Sequence, residues 1–383
     1  MSPVPGSGVD ARSACVECLR RNWLIARLGG WIQNACDVRP GRRTPELLRL
    51  GSEDLVGAVA AKDADEILAW NAGLEEGAMV ARLEEAGCWA CCRHHHSFPE
   101  GFADGADAPV AVFGRGEAIP LAGIGLDDSV TVVGARRATG YGLEVASTLA
   151  REVAAAGLNV VSGMALGIDG AVHRGALERG PTVAVLGGGP DVAYPPSHGR
   201  LHERIVENGI VLSEMPPGTA PWRWSFPARN RLMAAMSGMT IVVEATLRSG
   251  SLITAEMAAD AGRDVGAVPG PVTARAAAGT NELIASGAAL IRGATDVLDR
   301  MLGAGAGRPL FGPELGPGEP EALEAVEAGC VTVDEVAAAT GAGTPETART
   351  LARLEVRGYL RGTQAGTWTR TALAAYPSPR DER

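Results

Sequence analysis

The chain has 383 residues, 46% of them apolar, and a formal net charge of −10. This length allows two or three domains, and the acidic balance argues against indiscriminate binding to nucleic acid. The sequence contains no apolar run long enough for a membrane span and no signal-peptide pattern at its start, so we expect a cytoplasmic protein with no membrane partner.

The first predicted domain is helical and covers residues 14–85. Apolar residues recur at a spacing near 3.6 in CVECLRRNWLIARLGGWI, PELLRLGSEDLVGAVA and ADEILAWNAGLEEGAMVARLEEAG. Segments rich in Gly, Pro and Arg separate these stretches, which indicates several short helices and not one long one.

A group of cysteines and histidines follows, in CWACCRHHHSFPEG. The CxxC spacing of zinc ligands occurs at Cys88/Cys91 and also at Cys15/Cys18, and His94–His96 come next in the chain. Cys15 and Cys18 lie on a predicted amphipathic helix, however, where buried thiols are ordinary core residues. We therefore expect no metal here. The odd total of seven cysteines separately favours a reducing compartment over a disulfide framework.

Residues 86–302 alternate short apolar runs with amphipathic helical stretches. The predicted strands are SVTVVG (129–134), LNVVSG (158–163), TVAVLG (182–187), GIVLSE (209–214), MTIVVEA (239–245) and DVGAVPG (264–270). This alternation predicts an α/β fold, a doubly wound parallel sheet of the Rossmann-like class with helices on both faces. Ligands of such sheets bind at the carboxyl ends of the strands, beside helix N-termini.

Several loops at those strand ends carry residues suited to phosphate. They contain Gly134, Arg136, Arg137 and Thr139, then Ser162 and Gly163, and later Arg248, Ser249, Gly250 and Ser251 with Thr254 in the following helix. Helix capping is the alternative role for the hydroxyl residues. Because the loops match neither GxGxxG nor a P-loop, they favour an extended groove for a polyanion over a pocket for one nucleotide.

The stretch SFPARNRLMAAMS places Arg229 and Arg231 on either side of Asn230, near the predicted start of a helix. Cations at a helix N-terminus are unfavourable unless an anion neutralises them. One interpretation is pairing with Glu214 or Glu244 at neighbouring strand ends. The other is a phosphate site, because the guanidinium group binds oxyanions bidentately.

Three aromatic residues precede these arginines and could stack on nucleic-acid bases. They are Trp222, Trp224 and Phe226. Packing of the loop on the sheet is the alternative, which we favour for Phe226 and leave open for the two tryptophans.

The carboxy-terminal part begins with a Gly/Pro-rich linker, residues 303–319. Residues 320–375 then predict three short helices and two short strands, the pattern of a winged helix. This segment is acidic overall, with Arg349, Arg353 and Arg357 on one helix, so partner binding or dimerisation is as well supported as DNA binding.

Catalytic patterns are weak. His173 follows Asp169 by one helical turn and could form an acid–base pair, although a packed histidine explains the spacing more simply. The sequence Gly279-Thr280-Asn281-Glu282 approaches the PGGxGT loop of phosphoribohydrolases but lacks the preceding glycines. We expect no enzyme and no cofactor.

The loop motifs together resemble the DNA-processing protein A family, DprA or Smf. VVGARRATGYG, VVSGMALGIDGAVHRGAL, VLGGGPDVAYPP, FPARNRLMAAMS and RSGSLITAEMAADAGRDVGAVPG carry the resemblance, which spans about residues 130–300. It implies an extended Rossmann-like domain that binds single-stranded DNA, flanked by a SAM-like helical domain and a winged helix. It also implies a role in natural transformation, transfer of the strand to the recombinase RecA, a homodimer, and no established catalysis.

The resemblance also assigns DNA-binding residues, to which the loop patterns add Thr139 and Thr254. The set is Gly134, Arg136, Arg137, Thr139, Ser162, Gly163, Phe226, Arg229, Asn230, Arg231, Ser249, Gly250, Ser251 and Thr254. Two positions depart from the family, with Ala135 in place of a hydroxyl residue and Leu166 in place of an arginine.

This assignment predicts that Arg229→Ala/Arg231→Ala weakens single-strand binding without unfolding the protein. The alternatives are a phosphoribohydrolase-like enzyme on a related sheet and a regulator that binds DNA through the winged helix.

Overall fold

A computed structural model describes residues 9–38, 44–103, 108–117, 119–304, 313, 315–363 and 366–371. The chain divides into two compact units, residues 1–304 and residues 305–383. Among the described residues, no helix is both long and apolar enough to cross a membrane.

The first unit begins with a helical region, in agreement with the periodicity of residues 14–85. Its helices are α1 (Val16–Arg27), α2 (Gly29–Val38), α3 (Thr44–Leu48), α4 (Ser52–Ala60), α5 (Ala64–Ala72) and α6 (Glu76–Glu85). Their apolar faces bury Leu24, Leu28 and Leu55 in a cluster that also contains Met215 and Trp224 from the following α/β region. The helices therefore pack onto that region within one unit, and a domain boundary at residue 86 stays a prediction.

The α/β region alternates strands and helices as predicted. Its elements are β1 (Trp89–Cys92), α7 (Glu100–Ala103), β2 (Ala111–Arg115), β3 (Ser129–Val133), α8 (Gly140–Ala155), β4 (Asn159–Ser162), α9 (Ile168–Ala176), β5 (Thr182–Leu186), α10 (Gly199–Asn208), β6 (Ile210–Ser213), α11 (Ser225–Ala235), β7 (Met239–Val242), α12 (Gly250–Asp260), β8 (Asp264–Ala267), α13 (Ala278–Ala285), β9 (Ala289–Leu290) and α14 (Ala294–Met301).

These described strands form one nine-stranded sheet in the order β1-β2-β6-β5-β4-β3-β7-β8-β9. All pairs from β6 to β9 across this order are parallel, whereas β2 is antiparallel to both β1 and β6. The central strands are buried, with apolar clusters on both faces, which explains their uninterrupted apolar runs. The Rossmann-like fold class is confirmed.

The direction of winding reverses at β3. Strands β4, β5 and β6 lie on one side of it, and β7, β8 and β9 lie on the other. Doubly wound sheets bind ligands near such a reversal, outside the carboxyl ends of the strands. The topology thus directs attention to the loops that follow β3, β4, β5 and β7.

The second unit contains α15 (Glu319–Glu327), α16 (Val333–Thr340), α17 (Thr344–Val356) and the antiparallel strands β10 (Leu360–Gly362) and β11 (Trp368–Arg370). The buried Glu319 carboxylate holds Arg353 and Arg357, each at 3.1 Å, so two of the three predicted cations have an internal partner. Residues 305–312 and 314 of the predicted linker, and 364–365 and 372–375 of the predicted winged helix, lie outside the described residues. The winged-helix assignment stays a prediction.

Candidate nucleic-acid interface

A cavity of about 80 Å³ opens at the carboxyl ends of β3, β4 and β5. Its lining combines two arginines, two aromatic rings and small or apolar residues. These are Arg136, Gly163, Ala165, Leu166, Leu186, Gly187, Tyr194, Pro195, Phe226 and Arg229. Four of the predicted site residues, Arg136, Gly163, Phe226 and Arg229, therefore meet at one place.

Arg136 stands at the rim of this cavity on an aromatic platform. Its side chain is exposed, and its Cζ lies 5.3 Å from the centroid of the Phe226 ring. The Phe226 ring in turn lies 5.2 Å from that of Tyr194. A cation beside two rings can bind a phosphate and stack on a base at the same time.

Of these two aromatic residues, only Phe226 was predicted to take part in the site. For Phe226 we favoured packing of its loop on the sheet; the ring is half-buried and lines the cavity. Tyr194, which is 40% exposed, was not predicted, since no spacing pattern links it to Phe226. The sequence signal for Tyr194 was its position in the loop that follows a predicted buried strand.

Arg229 forms part of the cavity wall and is held by the strand ends. Its Nη1 donates to the carbonyl oxygens of Gly163, at 2.7 Å, and Val185, and its Nε donates to Asn230 Oδ1 at 3.1 Å. The side chain is buried, so it is not the free group that we expected. Burial lowers the pKa of Arg229 to about 10, with Asp169 raising it and Arg136 lowering it, which leaves a cation at neutral pH.

Gly163 makes this position of Arg229 possible. A Cβ atom built on Gly163 would lie 2.6 Å from Arg229 Cζ, closer than any packed side chain allows. The next residue, Met164, is fully buried and has a φ of 56°, a left-handed conformation that non-glycine residues seldom adopt. Strain of this kind concentrates at functional sites.

Arg231 does not line the cavity, and its assignment to DNA binding stays a prediction. Its Nη2 donates to both oxygens of Glu214 at 2.7 Å, and the two side chains are 6% and 7% exposed. The ion-pair interpretation is therefore correct for Arg231. Because removing one partner of a buried pair costs about 3–5 kcal/mol, Arg231→Ala would destabilise the protein, contrary to our expectation for the double substitution.

Glu244 pairs with neither arginine and instead caps helix α8. It accepts hydrogen bonds from the Thr139 backbone N–H and from Thr139 Oγ1, both at 2.8 Å. Thr139 Oγ1 also accepts from the backbone N–H of Gly142 at 3.1 Å. The capping role, one of the two alternatives for this hydroxyl, is the one that Thr139 fulfils.

The other predicted hydroxyl groups are also engaged inside the protein. Ser162 is fully buried and donates to the Val132 carbonyl at 2.7 Å. Ser249 is the N-cap of α12 and accepts from Ser251 N at 3.4 Å, while their hydroxyl groups are 2.8 Å apart. Thr254 is 1% exposed. Ser162 and Thr254 are therefore buried, and the Ser249 and Ser251 hydroxyl groups contact each other at the start of α12.

The exposed part of the predicted set is smaller. Arg136 and Arg137 are exposed at the end of β3. Arg248, a loop residue outside the predicted set, is exposed at the end of β7. Among the residues that the structure describes, these three arginines form no ion pair. Gly250 is exposed with open space around it. Asn230 is half-buried, accepts from Arg229 and lies 3.5 Å from the Gly250 carbonyl.

Gly134 and Leu166 are two further positions singled out from the sequence. Gly134 packs at the end of β3, where a Cβ atom would lie 2.6 Å from Ile168 Cγ1. Leu166 lines the cavity and is 48% exposed. This rim therefore includes an apolar side chain.

The two tryptophans before α11 contact the amino-terminal helices. Trp224 is buried and donates from Nε1 to the Gly29 carbonyl at 2.9 Å, so it is a core residue. Trp222 is 40% exposed and covers Gly29, where a Cβ atom would lie 2.7 Å from its Cδ1. Of the two, Trp222 retains an exposed ring.

His173 is a packed histidine, as the simpler interpretation held. Its Nδ1 lies 2.9 Å from Thr182 Oγ1, which donates its own proton to the Val160 carbonyl at 2.7 Å. Thr182 must then accept from a protonated Nδ1. Burial, with electrostatic contributions from His198 and Arg229, lowers the pKa of His173 to about 3, so the ring is neutral and is not an acid–base partner of Asp169.

Comparison with known proteins gives a family match and several similar sequences. A sequence profile of the family described as "DNA recombination-mediator protein A" matches residues 89–302. "Protein Smf" of Escherichia coli is 33% identical over 302 residues, 74% of this chain and 80% of that protein. "Putative DNA processing protein DprA" of Mycobacterium tuberculosis is 44% identical over 251 residues, 63% of this chain and 64% of that protein, so the match spans less than two thirds of that relative.

A solved structure agrees with the fold. The X-ray structure of DNA processing protein A from Streptococcus pneumoniae superposes with a TM-score of 0.58 and 31% identity. The alignment covers 74% of this chain and 95% of the pneumococcal chain.

Proposed function

This chain belongs to the DNA recombination-mediator protein A family, and from that premise we propose that it binds single-stranded DNA at the carboxyl edge of its sheet. The observation that carries the proposal is the cavity where Arg136 stands on Phe226 and Arg229 forms the wall. Arg137 and Arg248 extend the cationic rim along neighbouring strand ends.

The carboxylates at the same strand ends do not oppose this role. Glu214 is neutralised by Arg231, and Glu244 is satisfied by the amino-terminal turn of α8 through Thr139. Neither carboxylate is paired with Arg136, Arg137 or Arg248, so these exposed arginines can interact with a ligand. This arrangement lets a protein with a net charge of −10 offer a local polyanion site.

The aromatic rings favour a single strand over a duplex. Phe226 and Tyr194 present ring surface at the cavity, and unpaired bases can stack on such rings whatever their sequence. Bases in a duplex are already stacked on their neighbours and cannot do so. Arginine–phosphate contacts supply affinity, and stacking supplies the preference for an unpaired strand.

The wider role follows from family membership. We propose that the protein mediates recombination of incoming DNA in the cytoplasm, passes the strand to RecA, and works as a homodimer without catalysing a reaction. Measuring base release from nucleoside monophosphates tests the phosphoribohydrolase alternative, for which we expect no product. Tighter binding to duplex than to single-stranded DNA would support the regulator alternative.

Substitution of the rim arginines tests the site. We expect Arg136→Ala/Arg137→Ala to weaken binding of a single-stranded oligonucleotide more than tenfold, because each lost charge-assisted contact is worth about 1.5–3 kcal/mol. The measurement is fluorescence anisotropy at fixed salt, with circular dichroism to verify folding.

Arg179→Ala is the matched control. Arg179 is also exposed, but it follows α9 and precedes β5, at the opposite edge of the sheet. The Arg179→Ala variant should therefore bind the single-stranded oligonucleotide with wild-type affinity. If the rim variant kept wild-type affinity while folded, these arginines would not form the site.

A further inference from the structure

A second cluster of chemically active side chains lies far from the cavity, where α1 meets the sheet. Cys15 is the N-cap of α1 and Cys18 lies in its first turn, whereas Cys92 ends β1 and His94 lies in the turn that follows. One ligand atom from each lies within 4.8 Å of all the others. Three thiols and an imidazole are a known ligand set for zinc.

The distances fit a tetrahedron around a metal ion. His94 Nδ1 lies 3.4 Å from Cys15 Sγ, 3.6 Å from Cys18 Sγ and 3.8 Å from Cys92 Sγ. Bond lengths of about 2.3 Å to sulfur and 2.0 Å to nitrogen give edges of roughly 3.6 Å in a tetrahedral site.

Hydrogen bonding explains the cluster poorly. An imidazole nitrogen carries either one proton or one lone pair, so it cannot bond to three thiol groups at once. A shared cation satisfies all three contacts together. The backbone N–H of Cys15 also donates to Cys92 Sγ at 3.4 Å, which favours a thiolate at that position.

Strand geometry explains why Cys92 takes part and Cys91 does not. Successive strand residues face opposite sides of a sheet, and Cys92 packs with Leu19 and Trp23 of α1, whereas Cys91 belongs to the cluster on the other face. Cys88 and Cys91 are buried in the apolar core and lie outside the group of four ligand atoms.

We propose that Cys15, Cys18, Cys92 and His94 bind one zinc ion that fastens α1 to the edge strand β1. Four protein ligands fill a tetrahedral zinc ion, which leaves no position for a substrate and makes the site structural. The ion would join residues 76 positions apart, Cys18 and His94. This proposal runs against our expectation of no metal, and it takes Cys92 as a ligand in place of the Cys88/Cys91 pair.

Zinc content of the full chain tests the proposal directly. Protein purified without a polyhistidine tag should contain about one zinc ion per chain by elemental analysis. Cys92→Ser and His94→Ala should lower that content at least tenfold, whereas the matched variants Cys88→Ser and His96→Ala should keep it. His94→Cys should also keep it, because four thiolates are an equally common zinc set.

Cobalt supplies a second readout that does not depend on the variants. Wild-type protein stripped with a chelator and titrated with Co²⁺ should show the intense visible bands of tetrahedral thiolate-bound cobalt. A wild type that lacks zinc and gives no such bands would overturn the proposal, as would zinc content unchanged in both Cys92→Ser and His94→Ala. If Cys92→Ser fails to fold, the comparison of His94→Ala with His94→Cys decides, because His94 is exposed.

Discussion

Two arginines on one helix illustrate how a single residue's role follows from its place. Arg229 and Arg231 are separated by one residue on α11, and an α-helix turns about 100° per residue. Their side chains therefore leave the helix in nearly opposite directions, Arg229 toward the cavity and Arg231 toward Glu214. Two arginines at this spacing cannot face one groove, so the sequence pattern itself separates their roles.

The buried His173 makes stability depend on pH. Its pKa in the folded protein is about 3, below the value of about 6.5 in an unfolded chain. Between these values the unfolded state binds more protons, so stability is complete above pH 6.5 and falls as the pH decreases. We expect a loss of about 2 kcal/mol in the free energy of unfolding between pH 7 and pH 5 from this residue.

Urea denaturation at the two pH values measures this loss. His173→Gln keeps a donor for Thr182 but cannot be protonated in this range, so its free energy of unfolding should change by about 2 kcal/mol less than that of the wild type. Equal changes in the two proteins would show that His173 is not the group responsible.

At the scale of elements, the loop after β4 positions the cavity through a glycine. We expect Gly163→Ala to displace the Arg229 guanidinium, because the added Cβ would lie 2.6 Å from its Cζ. The displacement should destabilise the protein by about 1–3 kcal/mol and weaken single-strand binding. Thermal denaturation and fluorescence anisotropy measure the two effects.

Gly250→Ala provides the comparison at a second predicted site glycine. Gly250 is the first residue of α12 and has open space around its Cα, so an added methyl group meets no neighbour. We expect stability within about 1 kcal/mol of the wild type. If Gly163→Ala behaved in the same way, the strand end would not hold Arg229 as described.

Element types were easier to predict than their ends and contacts. The strands β3 to β8 coincide with apolar runs because parallel strands are buried on both faces. The start of α11 was misplaced: it begins at Ser225 with no side-chain cap, so no capping signal marked it. Arg229 is therefore in the second turn, and the electrostatic argument about a helix start did not apply to it.

The candidate site was predictable where it depends on local loops and unpredictable where distant segments meet. Arg136, Gly163 and Arg229 were found because each follows or precedes an apolar run. Tyr194 was missed because Phe226, the ring that it contacts, is far away in the chain. The loop motifs identified the place of binding, but tertiary packing decided which side chains remain exposed.

At the scale of the molecule, the amino-terminal helices and the sheet pack together within one compact unit. Asn22 of α1 is fully buried and donates to the carbonyl oxygens of Ala111 and Glu214, at 3.1 and 2.7 Å. The same Glu214 holds Arg231 through its side chain. The helices thereby support the end of β6, close to α11 and the cavity.

Positive and negative charges are distributed unevenly over the molecule. The chain is acidic overall, yet the strand ends pair their carboxylates internally and leave Arg136, Arg137 and Arg248 exposed. A single-strand site of this kind binds by releasing counterions from phosphates.

The salt dependence of single-stranded DNA binding tests this central claim most directly. The logarithm of the association constant, plotted against the logarithm of the salt concentration, should fall with a slope of about −0.7 for each phosphate contacted. With Arg136, Arg137 and Arg248 engaged, we predict a slope of about −2 or steeper, and a slope about 1.4 units shallower for Arg136→Ala/Arg137→Ala. A wild-type slope near zero, or equal slopes for the two proteins, would contradict a DNA-binding rim built on these arginines.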